Sequence, residues 1–109
     1  MTELTKKNKK KIEQLQILEQ NINTLLGQKQ QIQSQIVEND SAIEEMDKSS
    51  TVYKIIGNIM VKSKKTELKK ELQSKKERLE LRTKAIEKQE KNLKNKASKI
   101  QKEVLKEIK

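Results

Sequence analysis

The chain has 109 residues and a formal net charge of +10, with 39% charged and 31% hydrophobic residues. One domain at most is expected at this length, and the apolar content is too low for a compact globular core. Cysteine and histidine are absent, which excludes disulfides, thiolate metal sites and the commonest general base.

The first predicted element is a long helix over residues 1–48 that forms one half of a coiled coil. With Leu15 at heptad position a, apolar residues recur at a sustained 3-4 spacing, which is a strong coiled-coil signal. The a and d positions are Leu15, Leu18, Ile22, Leu25, Lys29, Ile32, Ile36, Asn39, Ile43 and Met46. Lys29 and Asn39 interrupt this seam. Polar residues at seam positions lower the stability of a coiled coil but fix the register of its helices. Lys29 and Asn39 are therefore interpreted as residues that specify helix pairing rather than as ligands.

The next predicted element is a β-hairpin over residues 51–62, TVYKIIGNIMVK, in which two short strands meet at Gly57-Asn58. The turn needs a positive φ at its first central residue, which glycine adopts without steric cost. Both faces of this ribbon are largely apolar, and an isolated hairpin is marginal in water with unpaired strand edges. We therefore expect it to join strands of other chains in a closed sheet. The alternative is that it packs only on the base of its own coiled coil.

The last predicted element is a second long helix over residues 64–109, with Ser63 as its N-cap. A seven-residue repeat runs along it through Leu72, Leu79, Ile86, Leu93 and Ile100. The companion positions three residues later are polar: Lys75, Arg82, Gln89 and Lys96. After Leu93 the apolar pattern shifts to Ala97, Ile100, Val104 and Ile108, which predicts a stutter. Because the hairpin reverses the chain, the two helices are expected to pack antiparallel, with both termini at one far tip.

Several short segments resemble the beta-type subunits of the prefoldin family, in particular the archaeal form. They are the hairpin pattern VYK..GN..VK, the helix opening ELKKEL and the segment LELR.KAIEKQE. The segments QLQ..EQ and QKQQIQSQIVEN of the first helix fit more loosely. The resemblance extends over nearly the whole chain, so residues 1–109 are interpreted as a single prefoldin-like domain.

The resemblance implies a mainly α fold: a long antiparallel two-helix coiled coil joined by one β-hairpin that assembles into an oligomeric β-barrel body. Two alpha-type and four beta-type subunits form such a hexamer. The implied function is that of an ATP-independent chaperone, or holdase. It binds unfolded polypeptide clients at the coiled-coil tips and passes them to a group II chaperonin. No cofactor is implied, and a cytoplasmic location is expected.

Two sets of site residues follow from the resemblance. The assembly residues are Val52, Tyr53, Ile55, Ile56, Ile59, Met60 and Val61. The client-binding tip draws on Leu4, Ile12, Ile100, Val104, Leu105 and Ile108. The sequence also favours this tip without the resemblance. Leu105 is adjacent to Val104, and a two-helix seam cannot bury both, so an apolar side chain is exposed at this end. The alternative is that these are simply the last seam residues.

The charge distribution leaves other functions to weigh. Residues 63–109 carry seventeen Lys and Arg against eight Glu, which is compatible with nucleic-acid binding through phosphate contacts. Against this, the basic residues alternate with Glu, and the single aromatic, Tyr53, lies in the hairpin, so no stacking platform exists.

A structural coiled coil that tethers partner helices is a further alternative. The hairpin argues against it, because such a protein does not need a two-faced apolar ribbon. An enzyme is not expected without histidine, cysteine or a Gly-rich phosphate loop, and neither a membrane span nor a secretory signal is predicted.

Overall fold

The fold was obtained as a computed structural model, which describes residues 6–108 of the chain and the side chains up to residue 106. Two long helices flank a single β-hairpin, and the expected mainly helical architecture is confirmed. The elements are α1 (Lys6–Lys48), β1 (Val52–Ile56), β2 (Ile59–Ser63) and α2 (Lys65–Ile108). Among the described residues, neither helix has a stretch long and apolar enough to cross a membrane.

The hairpin has the predicted turn and register. Gly57 has a φ of +60°, and no other described residue has a positive φ, so the left-handed conformation is confined to the first central position. The strands pair antiparallel, with Ile56 opposite Ile59 and Val52 opposite Ser63. Ser63 therefore belongs to strand β2, and helix α2 begins two residues later at Lys65. The prediction of Ser63 as the N-cap is wrong, because the strand pairing continues through that residue.

The chain divides into two compact units, each built from parts of both helices. One unit combines Met1–Lys29 with Ala85–Lys109, and the other consists of Gln30–Lys84 and contains the hairpin. In the hairpin-containing unit the buried apolar residues are Ile32, Met46, Val52 and Leu79. In the other unit they are Ile86 and Val104. Each unit thus has a narrow apolar seam rather than a broad core, as the low apolar content requires.

The predicted seam of helix α1 is confirmed. All ten a and d positions from Leu15 to Met46 are buried or half-buried, while their neighbours on the outer face are exposed. The two polar members lie inside the seam as well: Asn39 is buried and Lys29 is half-buried. A regular 3-4 spacing of contact positions is what a two-helix coiled coil requires.

The seam of helix α2 differs from the prediction. The five residues of the predicted repeat are buried or half-buried as expected: Leu72, Leu79, Ile86, Leu93 and Ile100. The companion positions, however, lie four residues after each of them. Those companions are Lys76, Thr83, Glu90, Ala97 and Val104, whereas Lys75, Arg82, Gln89 and Lys96 are exposed. The heptad repeat is therefore continuous, and the predicted stutter is wrong. Ala97 and Val104 continue an existing row whose earlier members are polar.

Polar contacts between the helices show an antiparallel arrangement in each unit. In the unit of the chain ends, Lys11 pairs with Glu103 and Lys29 with Glu90, so later residues of α1 meet earlier residues of α2. In the hairpin-containing unit, Asp40 pairs with Lys76 and Asp47 with Lys69. The Nδ2 of buried Asn39 also donates a 2.7 Å hydrogen bond to the carbonyl oxygen of Leu72.

The junction between the helices and the hairpin is held by charged side chains. The ammonium of Lys65 donates to the carbonyl oxygens of Asp47 and Ser49, at 3.3 and 3.1 Å. These carbonyls lie at the C-terminal end of helix α1, where cationic groups are favourable. Lys54 of strand β1 forms a 2.7 Å ion pair with Glu71 of helix α2. The hairpin is thereby tied to the helix that follows it.

Candidate functional site

The hairpin carries a dense set of exposed apolar side chains. Six of the seven predicted assembly residues are between 43% and 68% exposed, and they come from both strands. They are Tyr53, Ile55, Ile56, Ile59, Met60 and Val61. Large aliphatic side chains with this exposure are unfavourable in water, so a surface of this kind is typical of a protein–protein contact.

Val52 does not belong to this exposed surface. Its side chain is only 7% exposed, although it begins the same strand. Val52 lines a shallow hollow together with Met46 of helix α1 and Leu68 of helix α2, directly where the hairpin leaves the helices. Within the single chain Val52 packs in its own unit, and its assignment to the assembly surface stays a prediction. The alternative that the hairpin packs only on its own coiled coil thus holds for Val52, but not for the six exposed residues.

The two-stranded sheet can be extended in the plane of its strands. Within residues 6–108, strands β1 and β2 pair only with each other, so each has an outer edge with backbone groups that face away from the hairpin. The Ile55–Met60 pair lies on one face and the Ile56–Ile59 pair on the other. The hairpin therefore offers two apolar faces and two edges to partner strands.

The predicted tip residues occupy several different environments. Leu4 lies outside the described residues, and Ile108 ends helix α2 with its side chain outside them. Ile12 and Ile100 are half-buried. Val104 is buried in the seam, whereas Leu105 is 56% exposed. The expectation that the seam buries only one of these two neighbours is confirmed, and Leu105 is the exposed one.

A groove of about 500 Å³ lies in the unit of the chain ends. Ile17, Leu18 and Ile100 supply its apolar lining, and Lys96, Lys99 and Glu103 are among its polar residues. Ile17 is exposed but is not among the predicted tip residues. The available signal was the same as for Leu105: Ile17 is adjacent to the seam residue Leu18, and a two-helix seam cannot bury two neighbours.

Charged side chains of the described residues form ion pairs both on the surface and inside the seam. No group of three or more carboxylate side chains among these residues has a geometry that could hold a metal ion. Lys29 lies 3.7 Å from Glu90 and 3.9 Å from Glu87, so one polar layer of the seam is an ion-pair cluster. The ammonium of Lys76 donates a hydrogen bond to the carboxylate of Asp40, 2.8 Å away, and this contact raises the pKa of Lys76.

Comparison with known proteins places this architecture in one family. Residues 9–109 match the family described as "Prefoldin subunit". The chain belongs to the prefoldin family. It is 36% identical over 104 residues to prefoldin subunit beta of Archaeoglobus fulgidus, across 93% of this chain and 90% of that protein. It is 40% identical over 93 residues to prefoldin subunit beta of Sulfurisphaera tokodaii, across 83% and 74%.

A solved prefoldin structure has the same fold. The prefoldin beta subunit from Thermococcus strain KS-1 superposes with a TM-score of 0.88 at 30% identity, covering 95% of this chain and 94% of that one. The resemblance found in the hairpin and the helix after it is thus confirmed over most of the chain. Prefoldin subunits are chaperones rather than enzymes, so membership of the family implies a chaperone role.

Proposed function

We propose that the chain is the beta-type subunit of a hexameric holdase, assembled with an alpha-type prefoldin subunit in a two-to-four ratio. The observation that carries this proposal is the hairpin with six exposed apolar side chains, two apolar faces and two outer strand edges. Pairing of these edges with strands of other subunits closes the sheet into a barrel and removes the apolar side chains from water.

Client polypeptides bind to the unit of the chain ends, Met1–Lys29 with Ala85–Lys109. Leu105 and Ile17 are exposed there, and Ile100 is half-buried in the adjoining groove. Isolated aliphatic side chains give weak contacts with an unfolded chain. Several arms that hold one client simultaneously raise the overall affinity by increasing the effective concentration of each further contact. Binding requires no nucleotide, and family membership supports delivery to a group II chaperonin in the cytoplasm.

The assembly step is tested with a single charge on the hairpin. In Ile55→Asp, a carboxylate replaces an exposed apolar side chain at a position that assembly buries. We expect this variant to remain folded but to fail to form the six-chain complex when mixed with an alpha-type subunit. Native mass spectrometry gives the stoichiometry, and circular dichroism reports the helix content.

Leu81→Asp is the matched control, because Leu81 is equally exposed but lies on helix α2, away from the hairpin. It is expected to assemble as the original chain does. A six-chain complex that forms with Ile55→Asp, or an original chain that ignores the alpha-type subunit, contradicts the proposal.

A further inference from the structure

Two grooves of opposite charge lie in the hairpin-containing unit, Gln30–Lys84. The acidic groove, about 850 Å³, is lined by four carboxylates, Asp40, Glu44, Glu77 and Glu80, and by one ammonium, Lys76, for a net charge of −3. The basic groove, about 840 Å³, is lined by four cations, Lys54, Lys70, Lys75 and Arg78, and by one carboxylate, Glu71, for a net charge of +3. The grooves have similar size and opposite charge.

The two grooves lie on opposite sides of helix α2. Successive residues of an α-helix are rotated by about 100° around its axis. Relative to the seam residue Leu72, Glu77 and Glu80 are rotated by about 140° and 80° in one direction, and Lys75 and Arg78 by about 60° and 120° in the other. The same stretch of helix therefore presents an acidic flank and a basic flank, on either side of the seam.

Each groove also contains apolar surface. Val37 is 64% exposed in the acidic groove, and Ile55 is exposed in the basic groove beside Leu68. A surface that combines apolar area with complementary charge can bury the first and pair the second in the same contact. Solvated helix faces of a monomer do not require either large exposed apolar side chains or a segregation of charge.

The hairpin has a defined side relative to these grooves. Lys54 and Ile55 of strand β1 line the basic groove, and no residue of β2 lines either groove. Strand β1 therefore borders the basic groove. Pairing of β1 of one copy with β2 of the next brings the basic groove of the first copy close to the second copy.

We propose that the basic groove of one copy docks against the acidic groove of a second copy of this chain, next to the joined hairpins. This inference rests on the proposed assembly through the hairpins and adds a second, electrostatic contact to it. The contact is head to tail, because unlike flanks meet. It gives the assembly a direction and holds the bases of neighbouring arms side by side.

The test uses charge reversal and mixing of the pure chain. Variant Glu77→Lys/Glu80→Lys makes both flanks basic, and variant Lys75→Glu/Arg78→Glu makes both flanks acidic. Like charges then meet in every head-to-tail contact, so each variant alone should raise the self-association Kd by roughly tenfold or more in 50 mM salt. A one-to-one mixture can alternate the two variants, and every contact then pairs opposite charges. The mixture should return the Kd to within about twofold of the original, and 1 M salt should weaken the original chain.

Lys88→Glu/Lys91→Glu is the matched control. It reverses two exposed cations three residues apart on the same helix, outside both grooves, and should leave the Kd unchanged. Analytical ultracentrifugation gives the Kd, and circular dichroism checks the helix content. Reversals without effect, a mixture that stays as weak as its components, or an original chain that is monomeric at 100 µM overturns the inference.

Ile59→Asp separates this inference from the proposed function, because Ile59 is exposed on strand β2 and lines neither groove. If Ile59→Asp abolishes the complex with the alpha-type subunit while the charge reversals leave self-association intact, the hairpin assembly stands and the electrostatic contact falls. If the charge reversals act as expected but Ile59→Asp assembles normally, the groove contact stands and the hairpin is not the interface.

Discussion

The two glycines have different backbone conformations, so replacing each by alanine should have opposite effects on stability. Gly57 has a φ of +60° in the hairpin turn, whereas Gly27 lies inside helix α1, and a Cβ atom at Gly27 would meet no neighbour within 4 Å. We expect Gly57→Ala to lower the free energy of unfolding by about 1 kcal/mol, because an L-residue is strained at positive φ. Gly27→Ala should raise it by about 1 kcal/mol, since alanine loses less backbone entropy in a helix.

Thermal unfolding followed by circular dichroism compares these two variants with the original chain. Shifts of a few degrees in opposite directions are expected. Equal shifts in the same direction would contradict this prediction, because the turn and the helix would then respond alike to an added Cβ atom. The space around Gly57 is open, so the strain in Gly57→Ala comes from the backbone conformation alone.

Where two apolar residues are adjacent in a helix, only one of them lies in the seam and the other is exposed. In the pairs Val104–Leu105 and Leu18–Ile17, one residue lies in the seam and the other is exposed. This outcome is predictable from sequence, because two neighbours differ in direction by about 100° and a two-helix seam is narrower than that. Val52 was not predictable in the same way. Strand alternation gives its face, but only the positions of the helix ends decide whether that face is covered.

Helix α1 was predicted more accurately than helix α2, for a physical reason. Eight of ten contact positions in α1 are apolar, so hydrophobicity alone gives the register. In α2 the contact row includes Lys76, Thr83 and Glu90, which are half-buried but carry no hydrophobic signal. Their place in the seam depends on partners of helix α1, such as Asp40 for Lys76 and Lys29 for Glu90. These pairings become visible only when both helices are aligned.

The Lys29–Glu90 pair tests the cost of a polar layer in the seam. The side chain of Lys29 is 24% exposed and that of Glu90 only 12%. Lys29→Met removes the cation and leaves the carboxylate of Glu90 partly desolvated, so the free energy of unfolding should fall by about 1 kcal/mol. The double variant Lys29→Met/Glu90→Leu removes both charges from the seam and should recover this loss or exceed the stability of the original chain.

Lys76→Met is the matched comparison, since Lys76 and Asp40 are closer to each other, at 2.8 Å, but more exposed. It should cost less stability than Lys29→Met, because solvent screens an exposed pair. Urea unfolding gives the three values. If Lys76→Met is the more destabilising change, distance rather than burial determines the strength of these pairs, and the polar layer at Lys29 has no special role.

The sequence predicts the elements and their pairing, but not the opposite charges of the two grooves. The register of the hairpin follows from Gly57 and from strand alternation, and the antiparallel helices follow from the hairpin. The opposite charges of the two grooves depend on which side of α2 each residue faces relative to α1 and the hairpin. A sequence read one element at a time shows only that Lys and Glu alternate.

The proposed client binding by Leu105 can be tested separately from the proposed assembly. Leu105 is 56% exposed in the unit of the chain ends, and Leu81 is 66% exposed in the hairpin-containing unit. Leu105→Ser should leave the complex with the alpha-type subunit intact but reduce its suppression of client aggregation by roughly threefold, since several arms share each client and one aliphatic contact is lost from each beta arm. Light scattering of a chemically denatured client, diluted into the preformed complex without nucleotide, measures this effect.

Leu81→Ser removes the same side chain from the same helix and should not change the suppression. This comparison separates the position of a leucine from its chemistry, because both variants lose one exposed aliphatic side chain. Equal losses in both variants would show that clients bind along the whole arm. No loss in either would exclude Leu105 as a client contact, and client binding would then have to be sought in the groove lined by Ile17 and Ile100.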